Sequence, residues 1–357
     1  MSIFEHPSYD GHEQVYFVTD EPTGLKAIIA VHSTVRGPAC GGCRMWPYAN
    51  SEDALRDVLR LSKGMSYKNA VADLELGGGK SVIIGDSRKH KTKELFEAFG
   101  RAVDRLNGTY ITAEDVGIST DDMKIVHSVT PHVAGLTDIP EASGDPSPIT
   151  ARGVFLGVEA TAKSSFGADN LNGVRVAVQG VGHVGEYLCD YLHAVGAELV
   201  ITDIHEDSLK AVQEKTGAKI VAPDEIYDVE ADIFAPCALG AILNDETLKR
   251  LKVKAVAGGA NNQLATPEIG QKLHDMGLLY APDYVINGGG IINVASELKA
   301  RWQGGKHDPE WVEGKLQKLK ATLTEIYDRS KGDDTPPHEV ADELARLRLV
   351  ARHVEMA

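Results

Sequence analysis

The run Gly180-Val181-Gly182-His183-Val184-Gly185 constrains this chain more than any other feature. An apolar stretch, Val174 to Gln179, leads into it, and Val184, Leu188, Tyr191, Leu192 and Val195 then recur on one helical face. A second apolar stretch, Leu199 to Thr202, ends at Asp203. Strand, glycine turn, helix, strand and acid, in that order, make a βαβ unit of the kind that binds dinucleotides. The first glycine permits the tight turn, the second clears room for a pyrophosphate, and the third lets the helix pack on the strand. The helix start offers unpaired N–H groups and a positive dipole end to phosphate oxygens. Without this context the same glycines would mark only a turn in an ordinary α/β domain. Gly180, Gly182, His183, Val184 and Gly185 are therefore candidate cofactor contacts. Asp203 stands 18 residues beyond Gly185, where a carboxylate accepts both ribose hydroxyls of NAD and repels a 2′-phosphate. NAD rather than NADP is the expected cofactor, with His205 a slight counterweight to the charge argument.

One such unit does not fill 357 residues, and two domains are the natural expectation. A formal charge of −15 leaves no basic stripe for nucleic acid, although a local basic pocket for an anionic metabolite is compatible with it. The start, Met1-Ser2-Ile3-Phe4-Glu5, places an acid where a signal peptide needs bases, and no apolar run approaches membrane-span length. The four cysteines, Cys40, Cys43, Cys189 and Cys237, form no disulfide framework. Cys40-Gly41-Gly42-Cys43 has CxxC spacing, open to a redox or metal role, but no second pair or histidine cluster completes a zinc site, so no metal is expected. A reducing cytoplasm is the expected home.

Gln14 to Asp20 and Lys26 to Ser33 read as strands separated by the turn Glu21-Pro22-Thr23-Gly24. Ser51 is the expected cap of a helix with Leu55, Val58, Leu59 and Ser62 on one face. Val82 to Ile84 reads as a short strand, Thr92 to Leu106 as a helix, and Tyr110 to Thr112 as a strand ending at Glu114-Asp115. The proline-rich segment Ile139 to Pro148 is the expected linker, with a long helix beginning at Thr150. Beyond the βαβ unit, strands are expected at Ile220-Val221, Ile233-Phe234, Ala255 to Ala257 and Tyr284 to Ile286, which makes a doubly wound parallel sheet. Leu316, Leu319, Leu323 and Ile326 mark one later helix, and Val340, Leu344, Leu347 and Val350 another.

In the first half, two lysines stand out. Lys68 lies in Met65-Ser66-Tyr67-Lys68-Asn69-Ala70, and Lys80 ends the run Gly77-Gly78-Gly79-Lys80. Three successive glycines are entropically costly and suit a backbone that something approaches closely. Leu74 stands where a phosphate-binding GxxxxGK loop needs its first glycine, so a nucleoside-triphosphate site is rejected. A cleft pair, one lysine holding a carboxylate and the other acting as a base with lowered pKa, and two surface lysines beside a turn both remain open from spacing alone. Asp115 ends a strand, where it is placed either to shuttle protons or to cap a helix. Asn261-Asn262 and Asn287 follow expected strands, at the carboxyl ends where open α/β sheets bind ligands.

Taken together, these motifs resemble the amino-acid dehydrogenase family that includes the glutamate, leucine, phenylalanine and valine enzymes. The likeness spans nearly the whole chain and is nearest to the leucine branch. It rests on Gly37-Pro38-Ala39-Cys40-Gly41-Gly42, Lys68-Asn69, Gly77-Gly78-Gly79-Lys80, Thr112-Ala113-Glu114-Asp115-Val116-Gly117, Pro146-Ser147-Pro148-Ile149-Thr150, Phe234-Ala235-Pro236-Cys237-Ala238, Asn261-Asn262-Gln263 and Tyr280 to Asn287. The resemblance implies an α/β protein of two domains: residues 1–140 for substrate binding and oligomerisation, residues 148–325 as a Rossmann-type NAD domain, and helices in 326–357 returning to the first. It implies Lys80 as catalytic base with Asp115 as proton partner. Lys68 and Asn262 would hold the substrate α-carboxylate, and Gly41 and Gly42 would line the cleft. Ser147, Thr150, Ala238, Asn261 and Asn287 would join the glycine turn at the cofactor. The side-chain pocket carries over as Cys40, Ala113, Ile291 and Val294, an apolar set that favours leucine, valine or isoleucine. The implied reaction is reversible oxidative deamination to a 2-oxo acid and ammonia, with the domains closing for the chemistry. Cys40 and Ile291 depart from the leucine pattern, which keeps phenylalanine, valine or tryptophan as alternative substrates. An NAD-binding regulatory protein that has lost activity is the alternative outside enzymes, and it is disfavoured because Lys80 and Asp115 are both present. The resemblance implies a homo-oligomer, octameric or else dimeric, with no nucleic-acid or membrane partner.

Overall fold

Alternating apolar residues and a glycine at positive φ (Gly24, +72°) set the first hairpin, β1 (Gln14–Asp20) and β2 (Leu25–Ser33), paired antiparallel. These coordinates come from a computed structural model that describes residues 2–137 and 139–356, the side chains of 352–356 apart. Met1 and Ala357, which bound the sequence readings above, lie outside the described residues. The chain continues through β3 (Ala39–Trp46), α1 (Ser51–Val71), β4 (Gly77–Ile84), α2 (Lys93–Asp104), β5 (Tyr110–Glu114) and α3 (Thr120–His127). The five strands form one sheet in the order β1-β2-β4-β3-β5, with β3 parallel to both β4 and β5. One face buries Met45, Ile83, Phe96, Phe99 and Tyr110 under α2 and α3, and the other buries Val58, Leu59 and Val82 under α1.

Several local expectations are corrected here. The helix α1 is capped by the Asn50 side chain, which accepts from the Asp53 N–H, and Ser51 is its first residue. The strand expected over Val82 to Ile84 begins five residues earlier, so Gly77, Gly78 and Gly79 are buried strand residues rather than an exposed turn. Sequence reading also missed β3, because its glycines and cysteines carry little strand propensity. The physical reason for both lies in contact distances: a Cβ at Gly78 would sit 2.1 Å from Ser66 N and Oγ. Only a bare backbone lets the sheet lie that close to α1.

The second unit begins with α4 (Ser147–Phe166), three residues before the expected start at Thr150. Then come β6 (Arg175–Gln179), α5 (His183–Ala194), β7 (Glu198–Thr202), α6 (Glu206–Thr216), β8 (Lys219–Ile220), β9 (Ile233–Pro236), α7 (Asp245–Leu248), β10 (Ala255–Val256), α8 (Pro267–Asp275), β11 (Leu279–Tyr280) and α9 (Asp283–Ile286). The sheet is all parallel in the order β11-β10-β9-β6-β7-β8. Its direction of growth reverses between β6 and β9, the point at which doubly wound sheets take ligands. The strand expected at Tyr284 to Ile286 is instead the helix α9. Pro282, which cannot donate to a ladder, separates it from the true last strand, β11.

Three helices close the chain: α10 (Gly289–Gln303), α11 (Pro309–Asp333) and α12 (Pro337–Met356). The compact units run to Asp145 with Val294–Asp308 and everything from Ala345 on in the first, and Pro146–Asn293 with Pro309–Leu344 in the second. The return to the first unit therefore starts earlier than residue 326, in α10, and α11 stays with the second. Burial explains the latter: Leu316, Leu319, Leu323 and Ile326 are all buried, and Thr161 of α4 is 2.7 Å from the Tyr327 hydroxyl. Of the stripe expected on α12, Val340 and Leu344 are buried while Leu347 and Val350 are exposed. No helix among the described residues is long and apolar enough to cross a membrane.

Candidate active site

Lys80 shares its face of β4 with Gly78 and Val82, both of which abut α1, and it is only 6% exposed. That burial removes the reading of Lys80 as a surface lysine. Its ammonium donates to Asp115 Oδ2 at 3.0 Å, and the same oxygen accepts from Arg44 Nε at 3.0 Å. The charge in contact with Lys80 is thus the Asp115 carboxylate, the residue expected as its proton partner. Burial pushes the Asp115 carboxyl up, but the Lys80 ammonium and the Arg44 guanidinium outweigh it and hold the pKa below the ordinary value. Asp115 follows directly on β5, whose register sets Glu114 against Cys43 and so brings the next residue level with Arg44. A buried cation in contact with an ionised acid is competent to exchange protons with a bound molecule.

Around this pair the first unit assembles most of the other expected substrate contacts. Lys68 is half-buried in the last turn of α1, two residues beyond the Ser66 that meets Gly78. Its neighbour Asn69 is fully buried and donates to Gly77 O at 2.6 Å, which ties that turn to the glycine strand. A Cβ at Gly42 would lie 2.8 Å from Asp115 Cβ, so β3 walls the carboxylate closely. Gly41 sits between the carbonyl of Gly79 and the side chain of Met65, and Ala113 pairs with Gly42. Cys40 pairs with Gly78 and faces α1, whereas Cys43 lies on the other face in the core under α2. A three-residue step along a strand puts the two thiols on opposite sides, and burial pushes each up to about 12. This geometry makes neither a dithiol pair nor a reactive thiolate. Val294, half-buried on α10, belongs to the same unit.

In the second unit the glycine turn adopts the arrangement that dinucleotide binding requires. Gly180 has φ +94°, and a Cβ there would lie 2.7 Å from Ala238 Cβ, which joins the ends of β6 and β9. At Gly185 a Cβ would lie 1.9 Å from Gly180 O, while at Gly182 it would meet nothing within 4 Å. The start of α5, with His183 exposed in its first turn, has no side-chain cap, so its N–H groups face outward for an anion. Asp203 accepts from Val181 N at 2.8 Å and His205 N at 2.9 Å, which leaves lone pairs for hydroxyls. Val184, Val154 of α4 and Gly259 converge, since a Cβ at Gly259 would be 3.2 Å from both valines. Asn287 donates to Asn261 Oδ1 at 2.8 Å and Gly259 O at 3.2 Å, while its own buried Oδ1 has no partner among the described residues. That orphan acceptor suits a carboxamide N–H. Ser147 is buried and Thr150 half-buried at the start of α4, where Thr150 Oγ1 would be 3.0 Å from a Cβ on Gly290. Asn262 is exposed at φ +52°, and Ile291 is half-buried in the first turn of α10.

Sequence reasoning missed Arg44, Asp57 and Tyr48, and it quoted Gln263 in a motif without giving it a role. Arg44 was findable, being a lone charge in a run of small residues, but only after 39–46 is recognised as a strand. Gln263 is fully buried and donates to Gly258 O at 2.7 Å and Ala260 O at 2.9 Å, which shapes the loop that carries Asn261 and Asn262.

Comparison with known proteins adds an independent line. Residues 12–132 match the family described as Glu/Leu/Phe/Val dehydrogenase, dimerisation domain, and residues 143–355 match Glutamate/Leucine/Phenylalanine/Valine dehydrogenase. The chain is 50% identical over 349 residues to leucine dehydrogenase of Bacillus subtilis (strain 168), covering 98% of this chain and 94% of the other. It is 46% identical over 357 residues to phenylalanine dehydrogenase of Bacillus thermotolerans, covering 99% and 91%. The crystal structure of L-tryptophan dehydrogenase from Nostoc punctiforme superposes with a TM-score of 0.84 at 42% identity, covering 96% of this chain and 97% of that one.

Proposed function

This chain belongs to the Glu/Leu/Phe/Val dehydrogenase family, and from that premise we propose that it catalyses the NAD-dependent, reversible oxidative deamination of a branched-chain L-amino acid. Leucine is the main substrate, with valine and isoleucine after it. The observation that carries this reading is the contact at 3.0 Å between the buried Lys80 and the half-buried Asp115, on the unit that also holds Lys68 and Cys40. Net, the amino acid, NAD⁺ and water give the 2-oxo acid, ammonium, NADH and a proton.

NAD, when bound, accepts the α-hydrogen as hydride at C4 of its nicotinamide. Gly180, Gly182, His183, Val184, Gly185 and the start of α5 hold its pyrophosphate, Asp203 its ribose, and Ser147, Thr150, Ala238, Asn261 and Asn287 the nicotinamide end. The carboxylate of Asp203 disfavours a 2′-phosphate, which supports NAD over NADP. Lys68 clamps the substrate α-carboxylate with the Asn262 amide, and Gly41 and Gly42 leave room beside it. Loss of the α-hydrogen leaves an imine. Lys80, once its ammonium has passed a proton to Asp115, takes a proton from water, and that oxygen bonds to the imine carbon. Asp115 receives and returns protons as the carbinolamine loses ammonia. The ionised state of Asp115, held by two cations, supports its role as acceptor.

Cys40, Ala113 and Val294 of the first unit and Ile291 of the second are all apolar, and none of them offers a charge to a glutamate side chain. Methylene-scale differences in apolar pockets move discrimination by only about 1–3 kcal/mol, so the order among substrates is decided by measurement. The test is reduction of NAD, followed at 340 nm, with a panel of L-amino acids and with NADP as the comparison cofactor. Activity centred on leucine, valine and isoleucine is expected. Activity mainly on phenylalanine or tryptophan assigns the aromatic branch, and none on any amino acid defeats the proposal. Lys80→Ala should abolish turnover while NADH still binds, and near-normal turnover in it would remove Lys80 from the mechanism. We also read the protein as a cytoplasmic homo-oligomer, octameric by family likeness. The match of residues 12–132 to a dimerisation domain and the exposed Phe17 on edge strand β1 support association.

A further inference from the structure

Two cations meet Asp115, and only one of them has a part in the chemistry above. The other, Arg44, extends the contact away from Lys80. Its Nη1 donates to Asp57 Oδ2 at 2.9 Å, and the Tyr48 hydroxyl donates to that same oxygen at 2.6 Å. Asp115 is thereby linked to β3 through Arg44, to α1 through Asp57, and to the segment after β3 through Tyr48. We propose that Arg44 is a positioning residue for the deamination, a planar brace between Asp57 and Asp115 that fixes the Asp115 carboxylate against Lys80. This deepens the reading of Asp115 as the proton partner and rests on it.

Geometry supports a brace rather than a generic ion pair. Arg44 uses Nε for one carboxylate and Nη1 for the other, so a single rigid plane sets the distance between the two acids. A lysine ammonium is a point charge and cannot span both. Asp115 needs such support because it lies past the last residue of β5 and just before Gly117 at φ +79°, outside the ladder that fixes the strand. The charged and titratable groups around it are Lys80 from β4, Arg44 from β3, Asp57 from α1 and Tyr48 from the connecting segment, with the Cys43 thiol of β3 close by on the opposite face of the sheet. Glu114 next door is exposed and accepts from Thr120 instead. Without the guanidinium, Asp115 would lose one of its two cations and Asp57 its ion pair with β3.

The test compares Arg44→Gln, Arg44→Lys, Tyr48→Phe and Asp115→Asn in the full-length enzyme by kcat, amino-acid KM, NADH binding by fluorescence, and the pH profile of kcat. Arg44→Gln should lower kcat roughly 10²-fold, as expected for a misplaced acid–base group, with KM and NADH binding within about twofold. Its acid limb should move up by about one pH unit or more, because an opposite charge has been removed from a carboxylate. Arg44→Lys should return the limb toward the parent position without returning the rate. Tyr48→Phe should shift both in the same direction and by less, and it decides the matter if Arg44→Gln does not fold. Parent kcat and an unmoved limb in Arg44→Gln or, in that event, in Tyr48→Phe overturn the proposal. If Asp115→Asn turns over normally, the assigned role of Asp115 fails instead. If it is inactive while the Arg44 and Tyr48 variants behave as the parent, only the brace fails.

Discussion

Single residues carry their meaning here through distances that composition cannot express. The run Gly77-Gly78-Gly79 is visible in the sequence, and close approach was the correct inference, but the approaching groups are the protein's own: the Ser33 carbonyl at Gly77, helix α1 at Gly78 and the Tyr110 ring at Gly79. Because a Cβ at Gly78 would be 2.1 Å from Ser66 N and Oγ, Gly78→Ala must push α1, and Lys68 with it, off the sheet. We expect a loss of about 1–3 kcal/mol in unfolding free energy, the usual cost of overpacking, together with a raised amino-acid KM. Gly64→Ala on the same helix meets nothing within 4 Å and should be neutral or stabilising by up to about 1 kcal/mol. Denaturant melts of the two variants separate these outcomes, and equal stability for both would show that the helix yields without cost. Asp115 was legible as a strand-end acid, yet its two cationic partners come from β3 and β4. Their convergence is a matter of register, and sequence reading had missed one of those strands outright.

Elements were legible where periodicity was strong and lost where glycine or proline broke it. The βαβ unit from β6 to β7 was read within a residue at each end, because apolar strands and an amphipathic helix flank a turn that few sequences besides glycine can make. The unit also assigns different tasks to glycines that look alike. Gly182→Ala should change unfolding by under about 1 kcal/mol, since its new Cβ meets nothing within 4 Å. It should nevertheless weaken NADH binding roughly tenfold by intruding where the pyrophosphate approaches. Gly185→Ala should do the reverse in order of severity: its Cβ would lie 1.9 Å from Gly180 O, so the melting temperature falls first. Paired thermal scans and fluorescence titrations would show this, and a thermal loss in Gly182→Ala equal to that in Gly185→Ala would contradict it. The helix α9, expected as a strand, shows the opposite case. Tyr284, Val285 and Ile286 have strand-forming side chains, but Pro282 ends the ladder and three glycines follow, so local propensity yielded to the backbone that the fold allowed.

At the scale of the whole molecule, stability depends on groups buried far from the reacting pair. His32 is buried beside His12, with Ser66 Oγ 2.8 Å from its Nδ1 and Asp10 3.8 Å from its Nε2. Burial first, and the His12 ring second, push its pKa down to about 4. The folded chain therefore keeps His32 neutral where the unfolded chain protonates it. The stability this gives is complete above the unfolded value of 6.5 and is lost as pH falls from there toward 4, at about 1.4 kcal/mol per pH unit. Urea midpoints at pH 7 and pH 5 should differ more in the parent than in His32→Gln, and equal differences would exclude His32 as the cause. What the sequence determined by itself was the family of folds, the dinucleotide unit, the two lysines and the acid, because periodicity, turn chemistry and residue type are local properties that survive in a string of letters. What only the tertiary structure decided was which charge stands against which: a carboxylate at Lys80, an arginine on that same carboxylate, thiols on opposite faces, and a chain that returns to its first unit in two separate segments. Those are contacts between residues far apart in the chain, fixed by strand register and helix packing, and no neighbour in sequence announces them.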